Sequence, residues 1–165
     1  MKKIEFNLLE HENNVANENT KIGYSKTKQV GEKKKSISPE EKAQRAFSLY
    51  IRMRDCLQTT RSKNFCVCCS CSCRTPYESI ECGHFISGRH NNVQFDEMNA
   101  HGQCHHCNQD LHGAKESYTR FMERKYGSIQ VQLLHQRSES YVRMRKEDFE
   151  YKEKYFKKKL KEIGE

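Results

Sequence analysis

Cys66-Val67-Cys68-Cys69-Ser70-Cys71-Ser72-Cys73 and, further along the chain, Cys104-His105-His106-Cys107 are the stretches whose reading decides the fold. Tetrahedral zinc takes four thiolate or imidazole ligands, and a C-x-x-C turn aims two sulfurs at one ion, so two such turns complete one site. The second turn reads in only one way. The first contains both Cys66/Cys69 and Cys68/Cys71 at the required spacing, and each pair is followed by a small serine where amides can turn toward sulfur; spacing leaves both open. Cys56, Cys73 and Cys82 are expected to lie outside this ligand set, with Cys82 packing as a small apolar side chain.

The composition calls for such a staple. A chain of 165 residues with 35% hydrophobic and 32% charged side chains does not fill a large apolar core, so a metal is expected to help hold it. Nine cysteines, an odd number grouped in C-x-x-C turns, read as metal ligation in a reducing compartment and not as a disulfide framework. Residues 1–20 carry no apolar h-region, and no stretch is apolar enough to span a bilayer; a cytoplasmic chain with no membrane partner is expected. The formal net charge of +8 points to a polyanionic partner, DNA, although a solvated basic surface carries the same charge.

Outward from the cysteines the chain divides into three. Residues 1–37, rich in Asn, Glu and Lys, show no periodic face and read as a disordered basic and polar arm. Residues 38–127 hold a helix followed by the metal-organised core. Ser38-Pro39-Glu40-Glu41 is a helix start with a capping box, and Ala43, Ala46, Phe47, Tyr50 and Ile51 recur at helical spacing as far as about residue 57, leaving Lys42, Arg45 and Arg52 for solvent or phosphate. A second helix is expected over 115–126, with Tyr118, Phe121 and Met122 inward and Gly127 just past its end. Residues 128–165 are expected to form basic helices. One, to about residue 136, would use Ile129 and Leu133; the other, over 145–163, would use Phe149, Phe156, Leu160 and Ile163 and present lysines 157–159 and Lys161 outward.

Between the two cysteine turns lie Glu81-Cys82-Gly83-His84-Phe85 and Glu97-Met98-Asn99, and the second turn ends in Cys107-Asn108. A histidine, an asparagine and a further Asn or His threaded in this order through a two-knuckle zinc site follow the logic of an HNH nuclease. The fold class expected is α+β: a small zinc-stabilised ββα-metal, treble-clef-like core flanked by α-helices. A hairpin would carry His84, and a short helix opening near Cys107 would carry the last ligand. His84, neutral near pH 7, suits general-base work on an attacking water. A hard divalent ion, Mg2+ or Mn2+, would neutralise charge on the scissile phosphate, with Asn108 and Glu81 as its oxygen donors. Asn99 is read as bracing the catalytic loop through backbone hydrogen bonds. His101, His105, His106 and His112 are additional candidates.

These residues resemble the bacteriophage lambda NinG (Rap) family of recombination proteins. The resemblance spans about residues 46–164 and rests on Tyr50-Ile51-Arg52-Met53-Arg54-Asp55, on Glu81-Cys82-Gly83-His84-Phe85-Ile86-Ser87, on the long run from Phe95-Asp96-Glu97-Met98-Asn99-Ala100-His101 through Gly102-Gln103-Cys104-His105-His106-Cys107-Asn108, and on Tyr126-Gly127. It implies a structure-specific endonuclease acting on branched DNA such as Holliday junctions or D-loops in phage recombination, in the host cytoplasm, with other recombination proteins as further partners. A homodimer would suit symmetric cutting. The family's C-x-C-x-x-C run favours Cys68 and Cys71 as the first ligand pair, beside Cys104 and Cys107. Cys107-Asn108 also looks like the arrangement in phage endonuclease VII, where an aspartate precedes the general-base histidine. Here Gly83 stands in that place, with Glu81 as the stand-in carboxylate. Many family members begin with a further cysteine-bearing segment, whereas residues 1–55 here hold no cysteine. The alternative to a nuclease is a non-catalytic zinc adaptor that binds DNA or recombination proteins.

Overall fold

A computed structural model describes residues 36–88 and 92–164. The arm expected over 1–37 lies outside the described residues apart from Ser36 and Ile37. Order starts at the capping box. Ser38 Oγ accepts from the Glu41 amide at 3.2 Å and Glu41 Oε2 accepts from the Ser38 amide at 2.8 Å, while Pro39 supplies a helical φ and no surplus donor. The helix that follows, α1, Pro39–Thr60, runs past the expected end near residue 57. Thr59 and Thr60 bond back to the carbonyls of Asp55 and Cys56 at 2.7 and 2.9 Å, and Arg61, at φ 53°, closes the last turn onto the Leu57 carbonyl.

Two antiparallel hairpins follow. β1, Phe65–Val67, pairs with β2, Arg74–Pro76, and β3, Ile80–His84, pairs with β4, Ala100–Cys104, so that Ile80 faces Cys104 and His84 faces Ala100. The second hairpin carries His84, as the sequence predicts; the first, of three-residue strands, is too short to leave a period-2 signal. In place of the short helix expected near Cys107 there is a single π-helical turn, His106–Asp110. It cannot propagate, because His112, Gly113 and Ala114 all take positive φ (47°, 91° and 45°) and the Gly113 amide returns to the Cys107 carbonyl at 3.0 Å. Three helices complete the chain: α2, Lys115–Tyr126, α3, Ser128–Ser138, and α4, Lys146–Gly164. The architecture is mixed α+β, helices around small antiparallel strands.

Two apolar clusters hold these elements. Ala43, Ala46, Phe47, Tyr50 and Ile51 of α1 meet Phe95, Ala100 and Phe156, with Phe149, Leu160 and Ile163 of α4 partly buried against them. Fully burying a Phe or Ile stabilises by roughly 1.5–3 kcal/mol, so this face fixes α1 and α4 together. The second cluster joins Cys69, Phe85 and Val93 to Tyr118 and Met122 of α2 and Val131 and Leu134 of α3. Here the sequence reading is corrected: Ile129 is 70% exposed and Leu133 40%, and α3 buries Val131 and Leu134 instead. Both pairs fit a helix; the stripe is selected by what α3 packs against, α2 together with Cys69, Phe85 and Val93.

Polar groups set the angle between the helices and the second hairpin. Arg54, on the inner side of α1, donates to the carbonyls of Glu97 and Ala100 at 2.8 Å each and to Asp55 Oδ1 at 2.8 Å. Asp55 Oδ2 accepts from the Gly102 amide at 2.8 Å and from His101 Nδ1 at 3.0 Å, and His101 Nε2 faces the Tyr126 hydroxyl at 2.9 Å. Burial alone would raise the Asp55 carboxyl, but the His101 hydrogen bond and the Arg54 charge hold it well below the usual carboxylate range.

Candidate metal centre and adjoining cleft

The turn after β1 reverses through Ser72 at φ 61°, with Cys68 N bonded to Cys73 O and Ser72 N to Cys68 O, both at 2.9 Å. This reversal sets Cys68, Cys71 and Cys73 beside Cys104 at the end of β4, with all four sulfurs within 4.8 Å of one another; they could hold a metal ion. Cys71 Sγ and Cys104 Sγ are 3.7 Å apart. A zinc tetrahedron with bonds of about 2.3 Å has sulfur–sulfur edges of about 3.8 Å, so the spacing fits that ion. The Cys107 sulfur also interacts with those of Cys68, Cys71 and Cys104. Four thiols therefore share one centre, with Cys107 beside them. Cys73, which the sequence reading placed outside the ligand set, is inside the cluster because the Ser72 reversal folds it back, although its sulfur also lies 3.3 Å from Thr75 Oγ1.

The electrostatics suit a cation. Burial raises the Cys68 thiol, but the backbone amides of Cys71, Cys104 and Ser70 aim at its sulfur and bring it below the ordinary thiol value. Burial and neighbouring thiols push Cys71, Cys104 and Cys107 up to about 12, so a bound cation is what would make thiolates of them near neutrality. Cys66 and Cys69 point elsewhere. Cys66 is fully buried with Cys56 and Ile80, its thiol pushed up to about 12 by burial, and Cys69 packs in the second apolar cluster.

Beside the thiols, an open cleft of about 270 Å³ brings together His84, Ser87, Asn108, His112 and Lys115. His84 Nε2 lies 2.9 Å from the Gln94 carbonyl. A carbonyl can only accept, so the hydrogen-bond network assigns the proton to Nε2 and leaves the Nδ1 lone pair free to take another. Burial lowers the His84 pKa, outweighing the Gln94 carbonyl, so the ring is neutral near pH 7. Asn99, fully buried, accepts from the Ile86 amide at 2.8 Å and donates to the carbonyls of Ile86 and Val93 at 3.0 Å each. It ties together the two ends of the loop beside His84 and does not reach the cleft.

Asn108 Nδ2 donates to Glu81 Oε2 at 2.6 Å, which turns its carbonyl oxygen away from that carboxylate. Glu81 also receives Gln109 Nε2 at 2.8 Å and His105 Nδ1 at 2.7 Å. Burial would raise this carboxyl; the bonds from Asn108, Gln109 and His105 lower it overall, and the same contact raises the exposed His105. Gly83, between Glu81 and His84, is needed as glycine. A Cβ there would lie 2.0 Å from Gln103 Oε1 and 2.8 Å from Gln103 Cδ. Gln103 is fully buried, and its Nε2 donates to Ser70 Oγ at 2.7 Å and to the Gly113 carbonyl at 3.0 Å, which fixes Oε1 toward Gly83, where it has no hydrogen-bond partner among the described residues.

Of the other candidate histidines, His112 lines the cleft and His101 belongs to the buried Asp55 network. His106 is exposed and bonds Asp110 at 3.1 Å. Lys115 and Gln103 were not foreseen: neither stands in a spaced motif. Lys115 enters the cleft because its Nζ donates to the Phe85 carbonyl at 2.7 Å, and burial lowers its pKa.

The family described as Bacteriophage Lambda NinG protein matches residues 2–165, farther toward the amino terminus than the motifs themselves reach. No curated protein and no solved structure matches the chain.

Proposed function

Since the chain belongs to the bacteriophage lambda NinG family, we propose that it is a metal-dependent, structure-specific DNA endonuclease of the HNH type that cuts branched recombination intermediates. The observation that carries this reading is the meeting of His84, Asn108 and His112 around one cleft, with the His84 Nδ1 lone pair unengaged by the carbonyl that orients the ring. On this reading β3, β4 and the turn at Cys107 form a ββα-metal core, and zinc sits among the thiols, held by Cys68, Cys71, Cys104 and Cys107. A net charge of +8 and the lysines of α4 supply phosphate contacts, and binding should weaken steeply with salt.

In hydrolysis His84 Nδ1 takes a proton from the attacking water, and the Gln94 carbonyl stabilises the imidazolium that results. Asn108 Oδ1 would hold a magnesium or manganese ion at the cleft, which supplies charge neutralisation at the scissile phosphate when bound, and Glu81, which now faces the Asn108 amide nitrogen, would join it only once that bond is given up. Asn99 is a positioning residue that keeps the loop after His84 in place.

A second reading has its own support. Gly83 and Gln103 fill the place of an aspartate, and both Glu81 oxygens are engaged by donors, as a zinc adaptor without catalysis would permit. The deciding experiment compares wild type with His84→Ala, each with zinc content measured, on labelled four-way junction and linear duplex, with and without magnesium or manganese. Metal-dependent cutting of the junction by wild type alone is expected. DNA binding by both proteins with zinc in place and no cutting by either would install the adaptor reading.

A further inference from the structure

We propose that the outward face of α1 is a phosphate-binding track leading to His84, in which Arg52 and Arg45 hold backbone phosphates flanking the bond to be cut. This rests on the nuclease reading and adds to it where the substrate strand runs. His84 is shared by three open clefts. Besides the one it shares with Asn108, it lines a cleft of about 590 Å³ with Gln44, Arg45, Ser48, Arg52 and Cys82, and one of about 740 Å³ with Ser38, Gln44, Arg45, Ser87 and Gln94. Because the clefts have His84 in common, a strand laid along α1 passes over the proposed base.

The arginines of α1 divide by role. Arg54 is consumed by Asp55 and two carbonyls in the interior. Arg52, two residues earlier, is turned to the outer side, where its guanidinium lies 4.4 Å from the centre of the Tyr77 ring and Nη2 donates to the Tyr77 carbonyl. Its Nε is buried with no hydrogen-bond partner among the described residues. The Tyr77 contact fixes the guanidinium at the wall of the cleft, and since the buried Nε is out of a ligand's reach, a phosphate would be met through the outer end of the group. Arg45 precedes it by two helical turns on the same face. At a rise of about 1.5 Å per residue the two stand about 10.5 Å apart along the helix, so they would meet different phosphates of one strand. None of the residues lining the 590 Å³ cleft is acidic; Glu40 and Glu41 stand only at the far end of the larger one, where Glu41 is held in the capping box.

The test is equilibrium binding of the full zinc-loaded chain to labelled junction and duplex, by fluorescence anisotropy without added magnesium, over about 50 to 200 mM salt. Arg45→Gln and Arg52→Gln should each reduce the slope of log K against log salt by about 0.9, the loss of one phosphate contact. Arg52→Lys should keep the slope, and Arg120→Gln, in an exposed pair with Glu116 on α2, should leave it unchanged. If wild type binds with a steep slope that neither glutamine variant alters, the track is wrong and the nuclease reading stands. If the slopes fall as stated but no DNA is ever cut, the track holds and the nuclease reading fails; no DNA binding by wild type overturns both. Should Arg52→Gln lose its fold through Tyr77, the exposed Arg45 and the lysine variant decide.

Discussion

Adding one methyl group at Gly83 is the sharpest test of how the second hairpin is built. In Gly83→Ala the new carbon would stand 2.0, 2.8 and 3.0 Å from Oε1, Cδ and Cγ of Gln103, so the whole side chain must leave its place. A free glutamine would move cheaply. This one is fully buried, and moving it breaks its bonds to Ser70 Oγ and the Gly113 carbonyl. Each lost bond costs about 1 kcal/mol, more where the carbonyl stays buried and unpaired, and overpacking adds about 1 kcal/mol or more. The sum is about 2–4 kcal/mol, a fall of roughly 7–15 °C in Tm for a folded region of this size. Urea unfolding with zinc present measures it, and the double variant Gly83→Ala/Gln103→Ala isolates the cause. Removing Gln103 removes the obstacle, so the double variant should be more stable than the sum of the single losses by at least about 1 kcal/mol. A Gly83→Ala cost below about 0.5 kcal/mol, or strict additivity of the two changes, would refute the packing argument.

Zinc content distinguishes the cysteines: Cys68→Ser, Cys71→Ser or Cys104→Ser should lose the metal, whereas Cys66→Ala should keep it and lose stability only, since its sulfur packs with Cys56 and Ile80. Measured the same way, Cys73→Ser keeps zinc and Cys107→Ser loses it if the two C-x-x-C turns are the ligand set; the reverse result assigns Cys73. The buried network predicts a pH dependence. Asp55 is depressed below its ordinary value of 3.8, so its stabilisation is fully present above about pH 4 and lost as pH falls through the folded value. His101 is depressed below 6.5, chiefly by burial, so below that pH the unfolded chain takes up a proton that the fold refuses and stability declines from there. The stability gap between wild type and Asp55→Asn, followed by urea unfolding, should therefore be constant near neutrality and shrink in acid. Glu81→Gln still offers Asn108 an acceptor but removes the charge; manganese affinity, read by titration calorimetry, should fall about 10-fold or more if Glu81 helps hold the ion, and unchanged affinity would leave it only the bracing of Asn108.

Much of this arrangement was legible in the chain because periodicity and capping are local. Ser38, Pro39 and Glu41 announce α1, and Phe156, Leu160 and Ile163 announce the inner face of α4. The ends of helices and the choice between equivalent faces were not, since they depend on partners distant in sequence: Thr60 extends α1 by bonding the carbonyl of Phe65, and α3 turns Val131 inward because α2 lies there. The ambiguity among the first cysteines was beyond spacing for the same reason. Cys66 is drawn into the interior by Gly102, where a Cβ would come within 2.9 Å of its sulfur, and that leaves Cys68 and Cys71 on the side facing Cys104. His84, Asn99 and Asn108 could be named from their order, but Asn99 stays in the loop through its bonds to Ile86 and Val93, and His112 enters the cleft at the start of a run of positive φ over 112–114, which no motif encodes.

The thiol cluster and the cleft are one mechanical unit. Asn108 directly follows Cys107, and the π-helical turn that carries both is tied at its far side by Gly113, whose amide holds the Cys107 carbonyl and whose own carbonyl takes the Gln103 amide. A five-residue turn has no stability of its own, and no buried apolar side chain within it secures it to the hairpin beyond Cys107 itself. The turn is tied to β3 instead by the bonds of Asn108 and Gln109 to Glu81, and that contact orients the Asn108 amide. On the proposed reading, a metal bound among the thiols would add a second tie through Cys107, and a chain poor in apolar side chains would then hold Asn108 and His84 in register across the hairpin.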